Sequence, residues 1–291
     1  MNRTAVCYLL VNQIPEMPTL AVESMLKNCD SDVYLGYVNE RDLPEIAKDP
    51  RIKLVKLSLP QELATYSSPS EYLPFDRNDF FKLVALKWQL FLEIFELGYE
   101  VLIYSDLDVM VFGNISDQVN TTFEVFPGVD VLIQDATTSP SDPRLCMGLI
   151  AMRQNDQVKK MIQVCYENHI QATNDGSRVG DDDIITKFYL QAKNFEWIMR
   201  LPQVTYPVGQ YLNLFSKKDV FPGLKPVKPQ IFHSNYVIGR ENKIALMKVS
   251  ASRIDYFYSL PISLRLTLLL KRVRLQLGTI LRLYKPKWYS S

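Results

Sequence analysis

An α/β fold, a mixed and mostly parallel sheet flanked by helices, is what this sequence predicts, and three observations predict it. Short apolar runs rich in β-branched and aromatic residues recur at 5–11, 33–38, 52–57, 101–104 and 129–133, and runs of that length and composition read as strands. Between them lie stretches with apolar residues at three- and four-residue spacing, the pattern of a helix with one buried face. With 47% of its 291 residues apolar, the chain can bury the core of one large domain, which excludes a disordered protein. Strands that alternate with helices favour a parallel sheet whose ligands sit beyond the carboxyl ends of the strands. The residues that follow each apolar run are therefore the ones to search.

The first strand begins straight after Met1, Asn2, Arg3 and Thr4. No leader-like segment or membrane anchor stands before it, so a cytosolic location is expected. The clearest helix is expected over 78–97, where Phe81, Val84, Ala85, Trp88, Phe91, Leu92 and Phe95 recur at helical spacing and Gly98 supplies a C-cap. The stretch 58–76 holds several Pro and Ser and reads as a loop long enough to be a substrate-facing lid. A second half begins near Cys146, with helices expected at 156–168 and 181–192 and irregular Pro-rich chain to about Gln230. No internal repeat is present. Cys7, Cys29, Cys146 and Cys165 are scattered, without CxxC spacing or a His-rich neighbourhood, so they are expected to be reduced core residues rather than zinc ligands. The sequons at Asn2, Asn114 and Asn120 matter only in a secreted protein and receive no role.

The segment VLIYSDLDVMVFGNI, residues 101–115, places two carboxylates where an apolar strand ends. On an extended strand alternate residues share a face, so Asp106 and Asp108 are expected to point at one site while Leu107 packs inward. Ionised carboxylates a few ångströms apart repel, and burying them is costly unless a cation neutralises them. Hard oxygen ligands favour Mn2+ or Mg2+, bridging protein and a diphosphate. Short acidic pairs are common and usually solvated; this one interrupts a run that is otherwise apolar. His233 is one of two histidines and follows Ile231 and Phe232 in PQIFHSNYVIGRENK. A neutral imidazole there can be a third ligand, the alternative being a hydrogen-bonded structural residue. Gly180, Asp181, Asp182 and Asp183 open a helical stretch, where capping accounts for one carboxylate but not for three.

The helix FFKLVALKWQLF, the strand VLIYSDLDVMVFGNI and the later HSNYVIGRENK together resemble nucleotide-sugar transferases of the GT-A fold, in particular the retaining, DxD-containing glycosyltransferase family 8 and its relatives in family 77. The similarity runs over most of 80–248. It implies that Asp106 and Asp108 hold manganese, that His233 completes the site, and that Ser105 or Leu107 lies near the ribose or sugar. It also implies that Lys82 or Lys87 faces the donor. Gly239 and Lys243 match the glycine and lysine that approach the diphosphate, although their spacing is nearer the His-x-Asn pattern of family 77 than the tighter signature of family 8. Gly239 would permit close backbone approach and Lys243 would offset charge on the leaving group. Asp182 or Asp183 would bind sugar hydroxyls or stabilise positive character at the anomeric carbon, Asp183 standing where relatives carry Gln. Gly148, in CMGLIAMR, would make room beside the sugar or pack in the core, and Cys146 replaces a polar residue of the relatives.

The net charge of +1 hides an asymmetry, because 259–291 holds seven Lys or Arg and no acid, which leaves the remainder at −6. At helical spacing Leu266, Leu269, Leu270, Val273, Leu277, Ile280, Leu281 and Tyr284 share a face, while Arg265, Lys271, Arg272, Arg274 and Arg282 fall opposite. Charges interrupt it too often for a spanning helix, so 259–291 is expected to lie on a membrane surface, with Trp288 and Tyr289 at the headgroups. The alternative is a helix packed on the body; nucleic acid is not expected, since it offers the apolar stripe no partner. The expectation as a whole is a GT-A domain over 1–258 with a membrane-association segment over 259–291. It moves a sugar from a UDP-sugar to a glycan or glycolipid hydroxyl with Mn2+ or Mg2+, peripherally membrane-bound in the cytoplasm. The competing readings are a phosphohydrolase with an Asp nucleophile and a non-catalytic membrane- or glycan-binding protein on the same fold.

Overall fold

Strand β1 (Thr4–Leu10) is buried at every residue, as a strand must be when helices cover both faces of its sheet. In the computed structural model, which describes residues 3–10, 16–59, 78–137, 143–191, 196–203, 205–208, 229–235 and 240–257, β1 lies near the middle of a seven-stranded sheet. Its companions are β2 (Asp32–Tyr37), β3 (Ile52–Lys56), β4 (Val101–Ser105), β6 (Val131–Asp135), β7 (Leu145–Arg153) and β8 (Ile198–Leu201), in the order β3-β2-β1-β4-β7-β6-β8. β1 pairs in parallel with β2 and β4, in a register that sets Val6 against Val33 and Ile103. β7 alone runs against its neighbours β4 and β6, and β8 is parallel to β6. A second, two-stranded sheet joins β5 (Val109–Val111) to β9 (Ile231–His233).

The period-two alternation of the strands divides the core in two. Ala5, Cys7 and Leu9 of β1 face a cluster with α3 (Leu86–Glu96), α5 (Asp156–Asn174) and α6 (Asp181–Gln191). Val6, Tyr8 and Leu10 face α1 (Glu16–Asn28) and α4 (Ile115–Val125) on the other side. α7 (Arg240–Phe257) reaches that second cluster through Met247. All four cysteines are free and buried, as expected.

Two local differences from the sequence reading stand out. The helix expected over 78–97 is two helices, α2 (Asn78–Val84) and α3. The turn tightens at Ala85, where the Trp88 N–H bonds to the carbonyl three residues back, at 3.2 Å, instead of four. The stop is as expected, with Gly98 in the left-handed region at φ 79. β8, a strand of only four residues, lies in chain read as irregular. Residues 60–77 and 258–291, which hold nearly all of the candidate lid and the whole basic tail, lie outside the described residues. Among the described residues no helix is long and apolar enough to cross a membrane.

Trp88 anchors the α3 face. It is fully buried, meets Phe91 edge to face at 5.7 Å, and donates its indole N–H to His169 Nδ1 at 3.2 Å. Trp88→Ala is expected to cost about 3–5 kcal/mol of unfolding free energy, read by urea denaturation. A loss under about 1 kcal/mol would mean that the site collapses freely and that Trp88 is no anchor.

Candidate active site

β4 ends at Ser105 and the chain turns at once: the Val109 N–H bonds to the Asp106 carbonyl at 3.2 Å, closing a turn over 106–109 before β5 begins. Asp106 and Asp108 therefore meet through a turn, and not through the alternation of one extended strand that the sequence reading supposed. Leu107, between them, is partly buried against the α1 side of the core. The Asp106 N–H bonds to the Gly148 carbonyl on β7 at 2.9 Å, which ties the turn to the carboxyl edge of the sheet.

The small sheet delivers the third member. β5 and β9 pair antiparallel with Val109 opposite His233, and the Ser234 N–H donates to the Asp108 carbonyl at 2.9 Å. His233 Nε2 then lies 3.1 Å from Asp108 Oδ1 and 4.0 Å from Asp106 Oδ2. One ligand atom from each of Asp106, Asp108 and His233 falls within 4.8 Å of the others. An imidazole lone pair and a carboxylate oxygen at such separations repel unless a proton or a metal ion lies between them. Two carboxylates and one imidazole are also a donor set suited to a divalent ion, so the residues present fit one. Gly148 makes the approach possible: a β carbon there would overlap the His233 ring. The room it leaves is thus filled by the imidazole.

Two lysines surround the acids. Lys87 on α3 is buried, with Nζ 2.8 Å from Asp106 Oδ1 and 2.5 Å from Asp181 Oδ2, and it sits 4.9 Å from the centre of the Tyr104 ring. Burial works against its charge, but Asp106 and Asp181 outweigh burial and hold its pKa well above the usual lysine value. Lys243 on α7 places Nζ 2.5 Å from Asp108 Oδ2. Burial alone would raise the Asp108 carboxyl; Lys243 and His233 overcome that and hold it well below the ordinary carboxylate range. The Tyr104 hydroxyl donates to Asp106 Oδ1 at 2.7 Å, and burial, then the Asp106 charge, push the Tyr104 pKa well up.

The remaining residues singled out in the sequence fall as follows. Ser105 is fully buried, its hydroxyl 3.3 Å from the Asp106 carbonyl. Asp182 lies beside the cluster and accepts the Met147 N–H at 2.5 Å. Asp183 is exposed and accepts the Gly180 N–H at 3.2 Å, capping the helix. Gly239 lies outside the described residues. Lys82 is partly buried on α2, while Lys87 is the lysine brought to the acids. Three residues at the centre were not singled out as site residues: Asp181 on Lys87, Tyr104 on Asp106, and the buried Gln134, whose Oε1 is 2.9 Å from His233 Nδ1. Gln134 carried a signal of the same kind as the acidic pair, a polar residue closing the apolar run Val131, Leu132, Ile133.

Comparison with known proteins decides the family. A model of the nucleotide-diphospho-sugar transferases matches residues 56–247, well over half of the 291. The chain belongs to the nucleotide-diphospho-sugar transferase family. That membership sets the phosphohydrolase reading aside. The chain is 25% identical over 189 residues to UDP-D-xylose:L-fucose alpha-1,3-D-xylosyltransferase 3 of Arabidopsis thaliana, a stretch that covers 60% of this chain and 48% of that protein. The chain spans about half the length of that curated relative. Among solved structures, the galactosyltransferase LgtC with donor and acceptor sugar analogues shares its fold at a TM-score of 0.55 and 10% identity, covering 90% of this chain and 99% of that one. A glycosyltransferase involved in glycosylation of the major capsid of PBCV-1 matches at 0.50 and 10% identity, over 84% of this chain and 98% of the other. The GT-A fold expected from the sequence is the fold observed.

Asp182 makes the electrostatics of this site testable. Burial, then the neighbouring Asp181, raise its carboxyl from the usual 3.8 to about 7. A group raised in the folded state stabilises the protein below its unfolded pKa of about 4 and loses that contribution as pH climbs through the folded value. Wild-type stability relative to Asp182→Asn, whose amide oxygen can still accept the Met147 N–H, is therefore expected to fall between pH 4 and pH 8 in urea titrations. A relative gain over that range would contradict the raised carboxyl.

Proposed function

We propose that this transferase moves a sugar from a UDP-sugar to a hydroxyl of a glycan or glycolipid, with retention of anomeric configuration. The observation that carries the reading is the convergence of Asp106, Asp108 and His233 at the carboxyl edge of the sheet, where ligands of such sheets bind. UDP is favoured by the donor named in the Arabidopsis relative. A divalent ion, Mn2+ or Mg2+, bound by these three residues would neutralise the diphosphate where negative charge grows in the transition state.

The chain's own side chains supply the rest. Lys243, already at Asp108, is within reach of a phosphate there and would draw charge from the leaving group, and Gly239, just before α7, would let the backbone approach it. Ser105 and Leu107 would border the ribose or sugar. Lys87 would keep Asp106 oriented while linking it to the first turn of α6, from which Asp182 and Asp183 would meet the sugar's hydroxyls or offset positive character at the anomeric carbon. Retention fits a front-face displacement. The acceptor oxygen bonds to the anomeric carbon as the bond from that carbon to the phosphate oxygen breaks; the departing oxygen keeps the electron pair, and the diphosphate takes up the acceptor's proton. The basic, acid-free pattern of 259–291 supports attachment to the cytoplasmic face of a membrane, where a glycolipid acceptor would be presented.

The reading is tested by a panel of UDP- and GDP-sugars, assayed for binding and hydrolysis with and without Mn2+, beside Asp108→Asn. Metal-dependent release of UDP from one sugar is expected, falling at least about 100-fold in the variant. Failure to bind any nucleotide sugar would overturn the donor assignment, and an inverted product would overturn the front-face step.

A further inference from the structure

Gln134 is fully buried on β6, where a polar side chain is costly unless every group is paired. It stands at an irregularity: the register of β6 against β7 shifts between Ile133 and Gln134, and a bulge of this kind re-aims a side chain. Its amide nitrogen donates to the Tyr206 carbonyl at 3.1 Å and the Pro207 carbonyl at 3.2 Å. Its oxygen is 2.9 Å from His233 Nδ1. Carbonyls only accept, so both amide protons are committed to them, and the orientation of the amide follows from its partners. The oxygen must face the imidazole, and Nδ1 must bring the proton.

We infer that Gln134 is a positioning residue that fixes His233 in its Nδ1–H tautomer, which leaves the Nε2 lone pair on the side of Asp106 and Asp108. A ring nitrogen can bind a metal ion only through a lone pair, and the bond made by the other nitrogen selects which one is free. The rest of the surroundings hold the ring in that pose. Cys146 Sγ lies 3.6 Å from Nδ1 and Gly148 leaves the ring its space. The anchor is itself held: the His233 N–H reaches the Pro207 carbonyl at 3.4 Å, and the Tyr206 hydroxyl donates to Gln118 Oε1 on α4 at 2.8 Å. A metal role for this tautomer rests on His233 being a ligand, as proposed above.

The chain has two histidines, and the structure assigns them opposite tautomers. The Trp88 indole donates to Nδ1 of His169 at 3.2 Å, so that ring carries its proton on Nε2. Long-range 1H–15N correlation spectra of histidine-labelled full-length protein saturated with diamagnetic Mg2+, which takes the place of a proton between Nε2 and the carboxylates, are expected at alkaline pH to show one ring of each kind. Gln134→Met removes the acceptor. Gln134→Glu, protonated between the carbonyls and the ring, retains an acceptor and one donor. The Met variant is expected to lose the Nδ1–H signature and to bind Mn2+ about 10–100-fold more weakly, with the Glu variant within about threefold of wild type. Two Nε2–H rings in the wild type would overturn the inference, and so would unchanged tautomer and Mn2+ affinity in Gln134→Met. If that variant fails to fold, the wild-type spectrum decides. A wild type that shows the Nδ1–H ring but binds no Mn2+ would keep the positioning role and overturn the metal assignment instead.

Discussion

Two carboxylates and an imidazole facing one another at the end of a buried strand repel unless positive charge stands between or beside them, and much of the local structure follows from that requirement. Asp106 and Asp108 do not share one counter-ion. Lys87 meets Asp106 from one side of the sheet and Lys243 meets Asp108 from the other, on α7. Each lysine leaves a carboxylate oxygen turned inward, toward His233 Nε2. Desolvating several charges together is tolerable only because each is paired and hydrogen-bonded, and removing one partner would strand another.

The geometry also explains why a two-stranded sheet follows the carboxyl end of β4, a central strand of the seven-stranded one. The main sheet fixes Asp106 through β4 and the Gly148 carbonyl of β7. His233 lies over 120 residues further along the chain and reaches Asp108 only because β9 pairs with β5. The turn over 106–109 is the joint between the two sheets, and the acidic pair is that joint. A rigid main sheet and a short local ladder thus set three ligand atoms without a long loop having to be ordered.

Much of this was legible in the sequence, for physical reasons. Strands buried on both faces must be nearly all apolar, so β1, β2 and β4 announced themselves within a residue or two, and the polar interruption at Asp106 and Asp108 was conspicuous against that background. His233 was legible for the same reason, as a polar residue closing an apolar run. What was not legible is what depends on contacts between distant segments. Nothing local says that Lys87 pairs with Asp181, 94 residues away, or that Gly148 is small because an imidazole from β9 lies over it. The turn over 106–109 leaves no local signal either, because extended strand and tight turn both bring residues i and i+2 to one side. The exposed Asp183 and the central Asp181 stand two positions apart in a run of identical residues, and only the rotation of α6 against α3 separates their roles.

The most direct test of the account is the coordination of Mn2+ in the wild-type protein by electron spin-echo spectroscopy, where a ligated imidazole nitrogen modulates the echo. One nitrogen coupling is predicted, absent in His233→Ala, with the remaining ligands oxygen. A tightly bound Mn2+ with no nitrogen coupling would contradict a centre built from Asp106, Asp108 and His233.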